Sequence, residues 1–226
     1  MNQQKITIPV EDKGTVSGVL SIPEGYPPNG GIGAIFAHGA ANDMDNPLIV
    51  KIANGLCQAG FITLRFNFLY REKGKDSIDS QTTLEKTWSS ALTYFKENSG
   101  CDIERTIGVG KSLGGRIASQ MIADHKLAAD RLVFLGYPLH PPGKKDKIRD
   151  EHLYRIPIPM LFFAGTRDPF ADLSLLKGVV DKIPGDPTLE IIEDGDHSFD
   201  LPKSSDIPQG MVYDRILRKT LQWLES

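Results

Sequence analysis

Residues 110–115 read Gly110-Lys111-Ser112-Leu113-Gly114-Gly115. Immediately before them, Thr106 to Gly110 predicts a short strand; from Leu113 to about His125 the apolar spacing predicts a helix. A G-x-S-x-G pentapeptide between strand and helix describes a sharp, strained turn. Small residues at Gly110 and Gly114 relieve crowding, and the Ser112 hydroxyl is left exposed above the sheet. The backbone N–H of Leu113 then stands at a helix start, aimed where an oxyanion would develop. Ser112 is therefore a candidate nucleophile. The rival for Gly-Lys-Ser in this context is a phosphate-binding loop, G-x-x-x-x-G-K-[ST]. That motif needs glycine five positions before Gly110, where this chain has Arg105.

Outward from this turn the chain repeats one rhythm. Ile6, Ile8 and Val10, then Val16, Gly18 and Leu20, alternate with polar residues and predict two half-buried edge strands. Ala34–Ala37 reads as a buried strand. Asn46 and Pro47 then open a helix whose apolar face is Leu48, Ile49, Ile52, Ala53 and Leu56, and Gly60 stops it. Phe61 to Phe68 predicts a strand, followed by a charged loop through Asp79 that includes Arg71 to Asp76. Leu84, Trp88, Ala91, Leu92 and Phe95 mark a long helix ending near Gly100. Strands are predicted at Leu132–Gly136, Met160–Ala164 and Leu189–Ile192. Leu173 to Ile183 and Ile216 to Leu224 supply the last two helical stripes. The expected fold class is α/β: a mostly parallel sheet of about eight strands, the first two at an antiparallel edge, with helices on both faces. One domain, residues 1–226, absorbs nearly the whole chain.

In such a sheet, functional groups belong at the carboxyl ends of the strands. Asp168, in Gly165-Thr166-Arg167-Asp168-Pro169, follows the strand at Met160–Ala164. His197, in Asp194-Gly195-Asp196-His197-Ser198-Phe199, follows the last strand. A lone Asp-Pro is ordinarily a turn starter, and a lone loop histidine ordinarily a surface residue. Here the order Ser112, Asp168, His197 matches one nucleophile–acid–base arrangement, and each residue falls at a strand end. His38-Gly39-Ala40 follows the strand at Ala34–Ala37, where a second oxyanion-binding N–H would come from Ala40. His38 itself reads as a loop-ordering residue rather than a base.

The composition excludes more than it assigns. The 226 residues carry 26 basic and 29 acidic side chains, a formal net charge of −3, which offers no electrostatic case for nucleic acid or an anionic membrane. Hydrophobic residues at 40% and charged residues at 24% lie near globular averages, against disorder or a fibrous repeat. Cys57 and Cys101 stand far apart, without a C-x-x-C pair or zinc spacing, and read as reduced and structural. No metal or other cofactor is expected. The first residues hold no secretory apolar stretch, and no run approaches the roughly 20 residues of a membrane span. The expected location is the cytoplasm, without a membrane anchor; the oligomeric state is unknown.

Together, His38-Gly39-Ala40, Gly-Lys-Ser-Leu-Gly and Asp-His-Ser-Phe, in this order along nearly the whole chain, resemble the α/β-hydrolase fold. More narrowly, Arg65-Phe66-Asn67-Phe68, Tyr137-Pro138-Leu139-His140-Pro141-Pro142-Gly143 and Gly-Thr-Arg-Asp-Pro-Phe resemble its small, lidless, dienelactone-hydrolase-related branch. Within that branch the chain is most similar to a group containing testis-expressed hydrolase-like proteins and a chromatin-complex subunit. Dienelactone hydrolases carry cysteine where this chain has Ser112, so their substrate does not carry over. Some relatives in the closer group have no assigned substrate and are interaction proteins by expectation.

The reading that follows is a serine hydrolase of small-molecule acyl esters or thioesters. Ser112, His197 and Asp168 would form its triad, and Leu113 and Ala40 its oxyanion hole. A hydrolase-like scaffold that binds a ligand or partner without turnover is the alternative, and a peptide hydrolase with the same triad stays open. The connection from Leu139 to Pro159 is too short for a lid but long enough to shape one wall. Its charges, Lys144, Lys145, Lys147, Arg149 and His152, read either as a solvated loop or, at His140 and Arg149, as a grip on an acidic substrate group.

Overall fold

The computed structural model describes residues 1–26 and 31–225. Among these residues eight strands form one sheet: β1 (Asn2–Val10), β2 (Gly14–Ile22), β3 (Gly31–Ala37), β4 (Ile62–Phe66), β5 (Ile103–Lys111), β6 (Arg131–Leu135), β7 (Met160–Gly165) and β8 (Thr188–Ile192). Their spatial order is β1-β2-β4-β3-β5-β6-β7-β8. β2 runs antiparallel to both β1 and β4, and every other neighbouring pair is parallel. Parallel strands covered on both sides read as continuous apolar runs, and every residue of β7 is buried.

The helices are α1 (Pro47–Gln58), the single turn α2 (Leu69–Glu72), α3 (Gln81–Asn98), α4 (Leu113–Ala123), α5 (Leu173–Val180) and α6 (Gln209–Glu225). Their starts follow from local chemistry. The Asn46 side chain caps α1 by accepting from Ile49 N–H, with Pro47 in the first turn; Ser80 caps α3, and Asp172 accepts from Ser174 and Leu175 at α5. One core lies under α3, α4 and α5, around Trp88, Phe95, Ile117, Phe134 and Phe162. The other lies under α1 and α6, around Phe36, Ile52, Leu56, Phe163 and Ile216. Among the described residues there is no cap domain; the connection from β6 to β7 contains only a 3-10 turn at Leu153–Arg155. Among the described residues no helix is long and apolar enough to cross a membrane.

Two elements depart from expectation. The strand predicted to run from Phe61 to Phe68 is β4, ending at Phe66, because Phe68 gives its N–H to the His38 ring and the chain turns into α2. The expected charged loop therefore begins with a helical turn that buries Leu69 and Tyr70. The strand expected from Thr106 extends from Ile103 to Lys111, since its charged amino-terminal residues still pair with the start of β3.

Candidate active site

Ser112 occupies the N-cap of α4 at φ 48° and ψ −112°, a left-handed conformation that a non-glycine residue adopts at a cost of about 1–3 kcal/mol. The turn is possible because its neighbours lack side chains. A Cβ on Gly110 would stand 2.1 Å from Gly115 N, and one on Gly114 would stand 2.5 Å from the Ala37 carbonyl oxygen. A serine at an N-cap ordinarily turns its hydroxyl back onto the helix N–H groups. Here there is no such bond, and the hydroxyl lies 2.8 Å from His197 Nε2. Among the described residues, no N-cap side chain therefore occupies the amino-terminal N–H groups of α4, that of Leu113 first among them.

His197 comes from the loop after β8. Its Nδ1 lies 2.7 Å from Asp168 Oδ2, and the Asp168 side chain is fully buried. The second carboxylate oxygen accepts from Phe170 N–H at 2.7 Å, and the Phe170 ring packs on the imidazole at 4.4 Å between centroids. The loops after β7 and β8 are stitched together: Thr166 N–H donates to Ile192, Arg167 N–H to Gly195, and Asp194 N–H to Thr166 Oγ1. The three expected residues are thereby brought into one line, Ser112–His197–Asp168. An imidazole so held can take a hydroxyl proton while the carboxylate fixes its tautomer.

Ala40 enters from the loop after β3, beside Gly39, whose hypothetical Cβ would be 3.4 Å from Ser112 Cβ. The Gly39 carbonyl is gripped by three donors: His38 Nδ1–H at 2.8 Å, the Tyr70 hydroxyl at 3.2 Å and Asn42 N–H at 3.2 Å. In a trans peptide, N–H and C=O point to opposite sides, so anchoring this oxygen fixes the direction of the Ala40 N–H. The Tyr70 hydroxyl also reaches the Ala40 carbonyl at 3.0 Å. The same loop is tied to the end of β4, where Arg65 donates to the Met44 carbonyl and Asn67 accepts from Met44 N–H. His38 is a loop-ordering residue, as expected. Its Nε2 accepts from Phe68 N–H, and burial lowers its pKa to about 4, so it is neutral near pH 7.

Lys111 and Tyr70 are the site-shaping residues that the sequence reading passed over. The Lys111 side chain is buried, and its ammonium donates to the His197 carbonyl at 3.1 Å, locking the imidazole-bearing loop to β5. Burial pushes its pKa down, while Asp168, Asp196 and Asp200 oppose that shift. A charged residue within a buried run was the available signal. For Tyr70 the signal was the apolar run Phe68-Leu69-Tyr70 inside a presumed surface loop.

His140 does not take the place expected of it. It is 1% exposed; its Nδ1 bonds the Pro141 carbonyl and its Nε2 accepts from Asp172 N–H, leaving no polar atom for a ligand. The buried run Tyr137-Pro138-Leu139 draws it inward. Arg149 is exposed, as a ligand-binding residue would be, and its backbone is held by the Leu139 carbonyl and the Tyr137 hydroxyl.

Solved structures share this architecture. A dienelactone hydrolase from Anabaena variabilis is 21% identical, with 99% of this chain and 97% of that chain covered at a TM-score of 0.76. A serine hydrolase without a lid from Xanthomonas campestris is 17% identical, covering 99% and 95% at 0.73. Est1E from Butyrivibrio proteoclasticus, in a structure with ferulic acid bound, is 15% identical, covering 98% and 100% at 0.75. At these identities the likeness establishes the fold. The family follows from a sequence model described as alpha/beta hydrolase domain, which matches residues 32–225, from the start of β3 through α6. With that match over most of its length, the chain belongs to the alpha/beta hydrolase family.

Proposed function

We propose that the chain, acting as one domain, is a serine hydrolase that cleaves carboxylic esters or thioesters of small acyl groups. The observation that carries this reading is the continuous line from Ser112 Oγ to His197 Nε2 (2.8 Å) and from His197 Nδ1 to Asp168 (2.7 Å). His197 takes the Ser112 proton as the serine oxygen attacks the acyl carbon. Asp168 stabilises the imidazolium that forms. The N–H groups of Leu113 and Ala40 receive the negative charge on the carbonyl oxygen; losing one such donor costs about 3–4 kcal/mol in comparable sites. The tetrahedral intermediate collapses to an acyl-enzyme, and the alcohol or thiol leaves with the proton from His197. Water then attacks the acyl-enzyme, giving its proton to the same imidazole, and the acid is released as Ser112 recovers its hydroxyl hydrogen. Relatives described as a dienelactone hydrolase, a lidless serine hydrolase and esterases support the same chemistry.

Fluorophosphonate labelling tests the assignment. The native chain should label, whereas Ser112→Ala and His197→Ala should not. A native chain that stays unlabelled at high probe concentration would remove Ser112 as nucleophile. Among p-nitrophenyl esters, acetate and butyrate should be hydrolysed faster than long-chain esters.

A further inference from the structure

The loop after β7 carries Asp168 and Phe170, and it is held on two sides. Toward β8 its bonds run to Ile192, Gly195 and Asp194. Toward β6 they come from His140, in the connection that follows β6. The His140 N–H donates to the Phe170 carbonyl at 2.9 Å, and the ring Nε2 accepts from Asp172 N–H at 2.9 Å. Backbone and side chain of one residue therefore bracket Ala171, which is buried. Lys145, from the same connection, adds a largely exposed ion pair to the Asp172 side chain. A backbone N–H only donates and a carbonyl only accepts. These partners therefore require a ring with its proton on Nδ1, where the Pro141 carbonyl lies at 3.0 Å.

The bracketed turn is the one that aims the acid. Phe170 N–H donates to Asp168 Oδ1 at 2.7 Å, and the Phe170 carbonyl is the atom that His140 holds. The Phe170 ring lies 4.4 Å from the His197 ring between centroids. A shift of Phe170 would move both a hydrogen-bond donor to Asp168 and the surface against which the imidazole rests. On the far side of the bracket, Asp172 caps α5, so the clamp also ties the loop to a helix start. His140 is itself anchored. The carbonyl of its neighbour Leu139 accepts from Arg149 N–H at 2.8 Å, and Gly136 N–H, just after β6, donates to Phe163 of β7 at 3.1 Å. At 1% exposure the ring is shielded from solvent that could replace its bonds.

We propose that His140 is a positioning residue for the acid loop: through the Phe170 carbonyl and the Asp172 N–H it fixes the direction in which Asp168 meets His197. It touches none of the groups proposed to react. This rests on the serine-hydrolase reading for the effect on rate, but not for the effect on the His197–Asp168 pair. The residue that the sequence offered as a grip on the substrate works from behind the triad instead.

His140→Leu keeps the apolar bulk and the backbone N–H but removes both ring bonds, whereas His140→Gln again offers one acceptor and a donor. On p-nitrophenyl acetate, His140→Leu should lower kcat about tenfold with KM little changed, because Asp168 acts on charge that develops after binding. His140→Gln should recover most of that loss. Ring-nitrogen NMR spectra in alkaline buffer, assigned with His197→Gln, read the pair without turnover. They should show the His197 proton held on Nδ1 in the native chain and in His140→Gln, and a mixture of tautomers in His140→Leu. A native kcat with a single tautomer in His140→Leu, a change confined to KM, or no recovery by His140→Gln would overturn the positioning role. If His140→Leu does not fold, His140→Asn, with the same polar groups on a shorter stem, replaces it in both measurements. If the native chain resists fluorophosphonate, the hydrolase reading falls and the spectra alone decide. A tautomer mixture caused by losing the ring bonds would then support the clamp, and an unchanged tautomer would overturn it.

Discussion

Tyr70 touches none of the groups proposed to react, yet its hydroxyl helps hold the Gly39–Ala40 peptide, whose N–H is the second proposed oxyanion donor. Tyr70→Phe leaves His38 and Asn42 on the Gly39 carbonyl but frees the Ala40 side of the loop. We expect kcat on p-nitrophenyl acetate to fall about tenfold with KM little changed, since the bond acts on charge that develops after binding. Stability should fall by about 1 kcal/mol, the usual worth of a neutral hydrogen bond. A change confined to KM would contradict the positioning role. Residues such as Ser112, Asp168 and His197 were legible because turn chemistry and chain order constrain them together. Tyr70, Lys111 and His140 were not, because each acts through a backbone atom supplied by a distant segment. The Lys111 ammonium finds its acceptor 86 positions away, and local pattern says nothing of such a partner.

At the scale of elements, the strand–turn–helix at residues 103–123 carries the most stringent packing. Gly114 sits where any Cβ meets the backbone of β3, which has no flexible end to yield. Gly114→Ala should cost about 3 kcal/mol or more and abolish fluorophosphonate labelling. Gly178, inside α5 with nothing within 4 Å of a Cβ, is the contrasting case. Gly178→Ala should stabilise the chain by up to about 1 kcal/mol through helix propensity and a less flexible unfolded state. Urea midpoints read both changes, and similar shifts for the two would show that the close approach at Gly114 is not tight. The helices and parallel strands were legible because capping residues and apolar runs are local signals. Strand ends were less so: β4 stops early for a hydrogen bond to His38, and β5 starts early through pairing with β3.

For the whole molecule, burial makes stability depend on pH through His38 and His152, each with a pKa lowered to about 4. Burial is the leading cause for both, and at His152 the nearby Arg116 and Arg155 add to it. An unfolded chain would titrate these groups near 6.5, so between about 4 and 6.5 it binds more protons than the folded one. Stability should therefore be intact above pH 6.5 and fall as the medium is acidified, with a slope approaching ~2.7 kcal/mol per pH unit for two protons. Urea unfolding at pH 7, 6 and 5 measures this, and His152→Gln should about halve the slope. A profile flat across that range would mean that neither ring is held neutral.

The order of the sheet also has a temporal meaning. Ser112 stands at the end of β5, but its imidazole arrives 85 residues later, from beyond the edge strand β8. A nascent chain that has emerged only as far as α5 already displays the serine turn and Asp168, yet lacks the proposed base that would activate the hydroxyl. On the proposed triad, the serine is chemically ordinary during synthesis, unable to capture passing acyl groups while the sheet is still open. Under that proposal its reactivity would switch on only once His197 is docked beyond β8, so that turnover would report a closed sheet.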